Sequence, residues 1–161
     1  MVVKMPKHDT KQTYPHGRSR VFDQLPRELR WRDPELPRRR PGKRDTRQPY
    51  QRIHDESISE FALQKSILDV AIRGGWLVHH ETDSRKSNAG FPDLICTHPK
   101  HGLVVIELKS ETNNLSPDQY DWRDYLVAAG VRYYVFRPRD RFVADELFLN
   151  GSFPPVEEYL T

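Results

Sequence analysis

The spacing of apolar side chains after residue 57 predicts a helix at the start of a folded domain. Apolar groups recur there every three or four positions, as in a helix with one buried face, and Gly74 and Gly75 end the pattern. Ser57 followed by Glu60 matches a capping box, so we expect the helix to begin at Ser57. The apolar members of the repeat are Phe61, Leu63, Ile67, Leu68 and Ala71.

Four short apolar runs further along the chain predict strands, because each is too short for a helix and is bounded by turn residues. They cover residues 76–80, 94–96, 103–106 and 132–136. A polar stretch at 82–89 predicts a loop after the first strand. A turn at 99–102 predicts that the second and third strands fold back on each other.

Two more helices complete the predicted fold. One opens at Ser116, with Pro117 at its first position and Gln119 at the capping-box position, and it ends at Gly130. The other is short and covers residues 143–149. The order α-β-β-β-α-β-α, with no internal repeat, predicts an α/β fold in which helices flank a mixed sheet.

Charge divides the chain into a basic front and an acidic remainder. Residues 1–50 hold 14 Lys and Arg against 6 Asp and Glu, and residues 51–161 hold 12 against 17, so net charges of +8 and −5 give the overall +3. The front also holds 7 of the 13 prolines, which disfavour helix and sheet. We expect an extended basic arm at 1–56 ahead of a domain at 57–161. The arm either follows nucleic-acid phosphates, which its charge favours, or is a solvated tail.

The sequence gives no sign of membrane insertion or secretion. No apolar run approaches the ~18 residues of a membrane span, and the first residues lack the apolar stretch of a signal peptide. Cys96 is the single cysteine, which excludes an internal disulfide and fits a reducing compartment. We therefore expect a cytoplasmic protein with no membrane partner.

Charged side chains interrupt the third strand at a point where burial is expected. The apolar run at 103–106 is typical of a strand covered on both faces, and it continues into Glu107 and Lys109 without a turn. Alternate side chains share a face, so Glu107 and Lys109 lie together. In an antiparallel pair folded near residue 100, opposed positions sum to about 200, which places Asp93 beside Glu107.

Asp93 and Glu107 are therefore candidate ligands of a divalent cation. Two neighbouring carboxylates repel each other, and the pKa of one rises unless a cation lies between them. Mg²⁺ binds such oxygens together with substrate phosphate, and Lys109 could polarise a water or pair with the phosphate. The alternative is a surface ion pair between Glu107 and Lys109, but the opposed Asp93 favours the metal.

Three motifs in this order resemble the VRR-NUC branch of the PD-(D/E)XK nucleases. They are Gly-Phe-Pro-Asp-Leu at 90–94, Ile-Glu-Leu-Lys at 106–109 and Leu-Ser-Pro-Asp-Gln at 115–119, and Glu60 precedes them on the first helix. The resemblance covers residues 57–138 and leaves the arm outside. It implies a PD-(D/E)XK-type core and a phosphodiesterase that uses Mg²⁺ or Mn²⁺.

The resemblance also implies a role for individual residues. The implied metal ligands and catalytic lysine are Asp93, Glu107, the main-chain carbonyl of Leu108, and Lys109. Glu60 would be an outer acidic contributor to the metal site, and Gln119 would line it. Because each follows a serine by three positions, helix capping explains Glu60 and Gln119 equally well, and the two roles are not exclusive.

The expected function is a divalent-metal-dependent DNA endonuclease of prokaryotic or phage origin. No separate sequence-reading domain is visible, which favours structure-selective cutting of Holliday junctions or other branched DNA in repair or recombination. Stand-alone members of the resembled family look like junction resolvases, and symmetric cutting of a junction favours a homodimer. The alternatives are a restriction-type or nicking nuclease, or a non-catalytic nucleic-acid-binding protein, which a broken acidic pair would indicate.

Two other groups of residues have simpler interpretations. Cys96, His98 and His101 could form a zinc site, but Cys96 is expected to face the core and no second pair of ligands follows. Aromatic side chains on the second long helix and in the 142–153 tail could join a dimer interface or cover the sheet of one chain. The helix aromatics are Tyr120, Trp122 and Tyr125.

Overall fold

A four-stranded mixed sheet organises the fold in the computed structural model, which describes residues 45–80 and 88–160. Its strands are β1 (Leu77–His80), β2 (Leu94–His98), β3 (Gly102–Leu108) and β4 (Arg132–Phe136), in that spatial order. β2 is antiparallel to both β1 and β3, whereas β3 and β4 are parallel. The predicted mixed sheet is confirmed.

The pairing of β2 with β3 has the predicted register. Leu94 opposes Ile106 and Cys96 opposes Val104, so opposed positions sum to 200. Alternate side chains of β3 enter different cores, because Val104 and Ile106 pack in one cluster and Val105 in another. This alternation fixes the face on which Glu107 lies, opposite to that of Ile106.

Four helices occur in the described residues, and the last three of them cover the two faces of the sheet. The four are α1 (Pro49–Ser57), α2 (Glu60–Arg73), α3 (Pro117–Ala128) and α4 (Arg141–Asn150), with 3₁₀ turns at Pro138–Asp140 and Val156–Tyr159. Side chains of α2 and α4 pack with Ile106 in the larger core, and side chains of α3 pack with Val105 in the smaller one. No helix among the described residues is long and apolar enough to cross a membrane.

The predicted start of the first helix at Ser57 is wrong. Ser57 ends α1, and α2 is capped instead by Ser59, whose side chain accepts a hydrogen bond from the Ala62 amide at 3.1 Å. Glu60 is then the first helical residue and not the third, so it forms no capping box. The correct cap frees the Glu60 carboxylate for contacts elsewhere.

Residues 49–57 are helical, although the sequence predicts an extended arm as far as residue 56. Pro49 occupies the first helical position, where a missing amide donor is harmless, and the Gln51 side chain accepts from the Gln48 amide at 2.9 Å. The structure therefore adds one helix to the predicted order. Residues 1–44 of the arm predicted at 1–56, and most of the loop predicted at 82–89, lie outside the described residues.

The buried face of α2 differs from the predicted one at two positions. Leu63, Ile67 and Ala71 are buried as expected, but the Phe61 side chain is 76% exposed. Val70 takes part in the core instead. The other predicted elements agree with the structure to within a few residues at their ends.

Candidate active site

The structure brings Asp93, Glu107 and Lys109 together at one end of the β2–β3 pair. Asp93 directly precedes β2, and its Oδ2 accepts a hydrogen bond from the Leu108 amide at 2.7 Å. Glu107 is completely buried on β3, and the Lys109 ammonium donates to its Oε1 at 2.7 Å. The strand register and the hydrogen bond from the Leu108 amide to Asp93 hold the carboxylates of Asp93 and Glu107 next to each other, as the sequence predicts.

The two oxygens of Glu107 have different surroundings. The Gln119 side-chain amide donates to Oε1, the same atom that Lys109 contacts. Oε2 is buried and has no hydrogen-bond partner among residues 45–80 and 88–160. A buried carboxylate oxygen without a donor is costly, and a cation bound between this oxygen and Asp93 would satisfy it. The residues present therefore fit a hard divalent ion.

Burial raises the pKa of both carboxyl groups. The pKa of Glu107 rises to about 8, first because of burial and second because of the neighbouring Asp93 charge, and Lys109 opposes the shift. The pKa of Asp93 is also raised by burial, although the Leu108 amide opposes the change. A pKa of about 8 favours the protonated form of Glu107 near neutral pH, and a bound cation would favour the charged form.

The loop before Asp93 is held tightly against α3. Gly90 has φ +77°, and a Cβ added there would lie 2.4 Å from the backbone carbon of Asp118. Phe91 packs edge-on against Trp122, whose indole nitrogen donates to the Ala89 carbonyl at 3.2 Å. This position therefore requires glycine, and its close approach to the helix sets the distance between the acidic loop and α3.

Glu60 and Gln119 reach the site from the first turns of α2 and α3. Glu60 accepts hydrogen bonds from the Ser110 amide at 2.9 Å and from the Asn113 side chain at 3.2 Å, so it holds the segment that follows β3. Gln119 forms the predicted capping box with Ser116 and also contacts Glu107. Capping and site-lining roles therefore coexist at Gln119, whereas Glu60 does no capping.

No group of three or more His, Cys, Asp or Glu side chains is arranged to hold a metal in the described parts of the chain. An ion at the acidic pair would therefore need main-chain, water or phosphate oxygens as further ligands. Cys96 is buried in the core as predicted, and burial raises the pKa of its thiol to about 12. The rings of His98 and His101 stack on each other, 4.6 Å between centroids.

Sequence reasoning missed two buried polar side chains near the site. Tyr133 is fully buried on β4, and burial together with the charges of Glu107 and Asp93 places its pKa well above the ordinary value. Glu111 is buried beyond the end of β3 and pairs with Arg47 and Arg139. The sequence held a weak signal for Tyr133. Tyr133 and Tyr134 are adjacent on a strand, so one of the two must lie on the same face of the sheet as Glu107. Nothing local identified Glu111, whose partners are distant in sequence.

This fold and this arrangement of an acidic pair beside a lysine define a nuclease-like α/β domain. The family model of the VRR-NUC domain matches residues 31–140, 110 of the 161 residues, so the chain belongs to the VRR-NUC family. The match begins well before residue 57, the expected start of the resemblance, and the boundary at 56/57 stays a prediction. Comparisons with curated proteins and with solved structures found no match.

Proposed function

We propose that this protein is a divalent-metal-dependent DNA endonuclease that hydrolyses phosphodiester bonds. The observation that carries this proposal is the difference between the two carboxylate oxygens of Glu107. Both protein donors contact Oε1, and the buried Oε2 has no donor among the described residues. A cation is the partner that such an oxygen needs beside a second carboxylate. The VRR-NUC family, whose domain implies a nuclease-like fold, supports the same activity.

Asp93, Glu107 and the main-chain carbonyl of Leu108 would hold Mg²⁺ or Mn²⁺. When bound, the ion would lower the pKa of a ligand water and offset charge on the phosphate. Asp93 is oriented by the Leu108 amide, and Glu107 by Lys109 and Gln119. One ammonium proton of Lys109 is used on Glu107, which leaves two donors for an attacking water or a phosphate oxygen. Glu60 acts from outside, by holding the backbone at Ser110.

Cleavage of labelled DNA in Mg²⁺ or Mn²⁺ tests the proposal. We expect Asp93→Asn and Glu107→Gln to lose cleavage by at least about 10²-fold, since each removes a charge that holds the ion, while both variants stay folded by circular dichroism. Asp69→Asn is the matched control, because Asp69 is an exposed carboxylate on α2. Cleavage by either site variant at the rate of the Asp69 control would remove the metal-site assignment. Ca²⁺, with looser geometry, should support binding and little turnover.

We further propose that the substrate is branched DNA and that the active form is a homodimer. A two-fold dimer presents two identical sites to the two symmetric cuts that a four-way junction requires. Fewer aromatic side chains are available for a dimer interface than the sequence suggested, because Trp122 packs against Phe91 in the same chain and Tyr120 packs against the smaller core. Large exposed apolar side chains remain on the α2–α4 layer, namely Phe61, Ile72, Phe142 and Leu149.

Light scattering at micromolar concentration, followed by cleavage of a four-way junction and of linear duplex, tests this substrate and assembly. We expect a dimer that cuts the junction faster. A monomer that cuts both substrates equally would leave a general nuclease, including the restriction-type or nicking alternative. A folded protein that binds DNA and cuts neither would favour the non-catalytic alternative.

A further inference from the structure

A cleft of about 540 Å³ lies between α1 and the 3₁₀ turn that follows β4, outside the acidic site. Its volume falls in the range of roughly 300–1,000 Å³ that is typical of ligand-binding pockets. Besides the ion pair of Arg47 with Asp55, the cleft is lined by Tyr50, Gln51, His54, Pro138, Arg139 and Arg141. Phenol, imidazole and guanidinium groups all offer flat faces, so the cleft is suited to a flat ligand.

The helix that forms one wall of this cleft has no role in the core. No residue of α1 is buried, and Arg47 ties it to the domain by pairing with Asp55 within the helix and with Glu111 beyond β3. Tyr50 and Ile53 are each 69% exposed on α1, yet only Tyr50 lines the cleft. The ion pairs of Arg47 hold α1 in place although the helix buries no side chain. We therefore expect α1 to serve as a wall of a binding cleft.

The charges in the cleft favour a neutral aromatic ligand over a bare anion. Arg139 pairs with Glu111, and Arg141 pairs with Asp145 at 2.9 Å. Arg47 contacts carboxylates of Asp45 and Asp55 in addition to Glu111. Because each guanidinium group has a carboxylate partner, little net positive charge remains for a phosphate. Their planar faces remain suitable for stacking, as do the rings of Tyr50 and His54.

A short chain of contacts connects the cleft to the acidic site. Lys109 and Ser110 follow β3, and the Lys109 amide donates to the carbonyl of Phe136 at the end of β4. One residue further on, Glu111 accepts from the Arg139 amide at 2.8 Å. The cleft and the acidic pair therefore lie at the same end of the sheet, where β3 and the parallel β4 finish.

We propose that this cleft binds an unpaired base of single-stranded DNA, with the base stacked on Tyr50. The inference deepens the proposed function, since it takes DNA as the ligand and names an unpaired strand beside the cutting site as the feature that is recognised. Base stacking tolerates any sequence, because every base has a π-face. The cleft would thus select DNA by structure and not by sequence.

Binding of single-stranded DNA that carries the fluorescent base 2-aminopurine tests the proposal without any cleavage. The full chain is used with EDTA and at high salt, which weakens phosphate contacts more than stacking. We expect quenching of 2-aminopurine by the parent, and affinity of Tyr50→Ala lower by about 5-fold to 150-fold, the equivalent of ~1–3 kcal/mol per stacked base. Tyr50→Phe keeps the ring and should bind like the parent.

Ile53→Ala is the matched control, because Ile53 has the same exposure on the same helix and does not line the cleft. Equal affinities for the parent and Tyr50→Ala, or equal losses in Tyr50→Ala and Ile53→Ala, would overturn the proposal. Release of the DNA by inorganic phosphate alone would also overturn it, since the cleft would then be an anion site. The two proposals can fail separately. If the parent cuts no DNA in Mg²⁺ but quenching is lost only in Tyr50→Ala, the nuclease proposal would be refuted and the base-binding proposal would stand.

Discussion

At the scale of single residues, Glu107 occupies a position that is costly for a charged side chain when no metal is bound. Its ordinary pKa of 4.5 rises to about 8 in the folded chain. Between these values the folded state holds a proton that the unfolded state has released. The contribution of Glu107 to the free energy of unfolding therefore falls as pH rises from 4.5 to about 8, by up to about 1.4 kcal/mol per pH unit. Above that window its contribution is constant.

Glu107→Gln should remove this dependence. In EDTA, we expect the variant to unfold at a temperature close to that of the parent at pH 5 and at a clearly higher temperature at pH 8. Thermal denaturation followed by circular dichroism at both pH values measures the difference. Glu56→Gln, at an exposed position on α1, is the control. A difference between Glu107→Gln and the parent that is the same at both pH values would contradict the buried-charge explanation.

Lys109 is the second residue whose chemistry can be separated from its charge. The side chain is largely buried against Glu107, and arginine there would keep the charge but be bulkier, planar and unable to deprotonate. We expect Lys109→Arg and Lys109→Ala to reduce the single-turnover cleavage rate by about 10²-fold or more, the usual range for loss of a donor aimed at developing charge. Parental cleavage by the arginine variant would show that the lysine is only a counter-charge.

At the scale of elements, the sequence predicted the strands and the proximity of Asp93 to Glu107 better than it predicted the helix ends. Positions 93 and 107 could be paired from the turn near residue 100 alone, because alternation along strands leaves few possible registers. The start of α2 was misplaced because Ser57 and Ser59 are both acceptable caps. With Ser59 as the cap, Glu60 contacts Ser110, fifty residues away, and no local pattern contains such a contact.

The first turn of α3 combines a structural cap with a contact to the site, and two variants can separate these roles. Ser116→Ala removes the cap acceptor and should lower the free energy of unfolding by ~0.5–2 kcal/mol, with little change in cleavage per folded molecule. Gln119→Ala removes half of the cap and also the contact with Glu107, so cleavage should fall as well. Urea denaturation and cleavage rates well below the melting temperature measure both effects. Equal cleavage by the two variants would mean that Gln119 only caps.

At the scale of the whole molecule, positive charge is concentrated where the described structure does not reach. Residues 1–44 hold 13 Lys and Arg against 5 Asp and Glu, whereas residues 45–161 hold 13 against 18, so net charges of +8 and −5 stand on either side of residue 44. An acidic domain repels DNA at long range. The basic segment is therefore expected to supply much of the attraction for the phosphate backbone.

Two variants of equal net charge test whether the position of this charge matters. One replaces Arg38, Arg39 and Arg40 with glutamine, and the other replaces Lys65, Arg73 and Lys100, which are exposed in the described domain. We expect only the first to lower DNA affinity and to flatten its salt dependence, by about 0.9 units of log–log slope per lost phosphate contact. Identical salt slopes for both variants would assign the arm to a role other than DNA binding.

The hairpin of β2 and β3 has a consequence for the order of folding. Asp93 and Glu107 are only 14 positions apart, and hairpins of this kind close in about 1–10 μs, well before segments that are distant along the chain can meet. The two carboxylates should therefore approach each other in the transition state, before the helices cover them. Divalent ions present during refolding should then increase the folding rate. Their stabilising effect should not appear only as a lower unfolding rate.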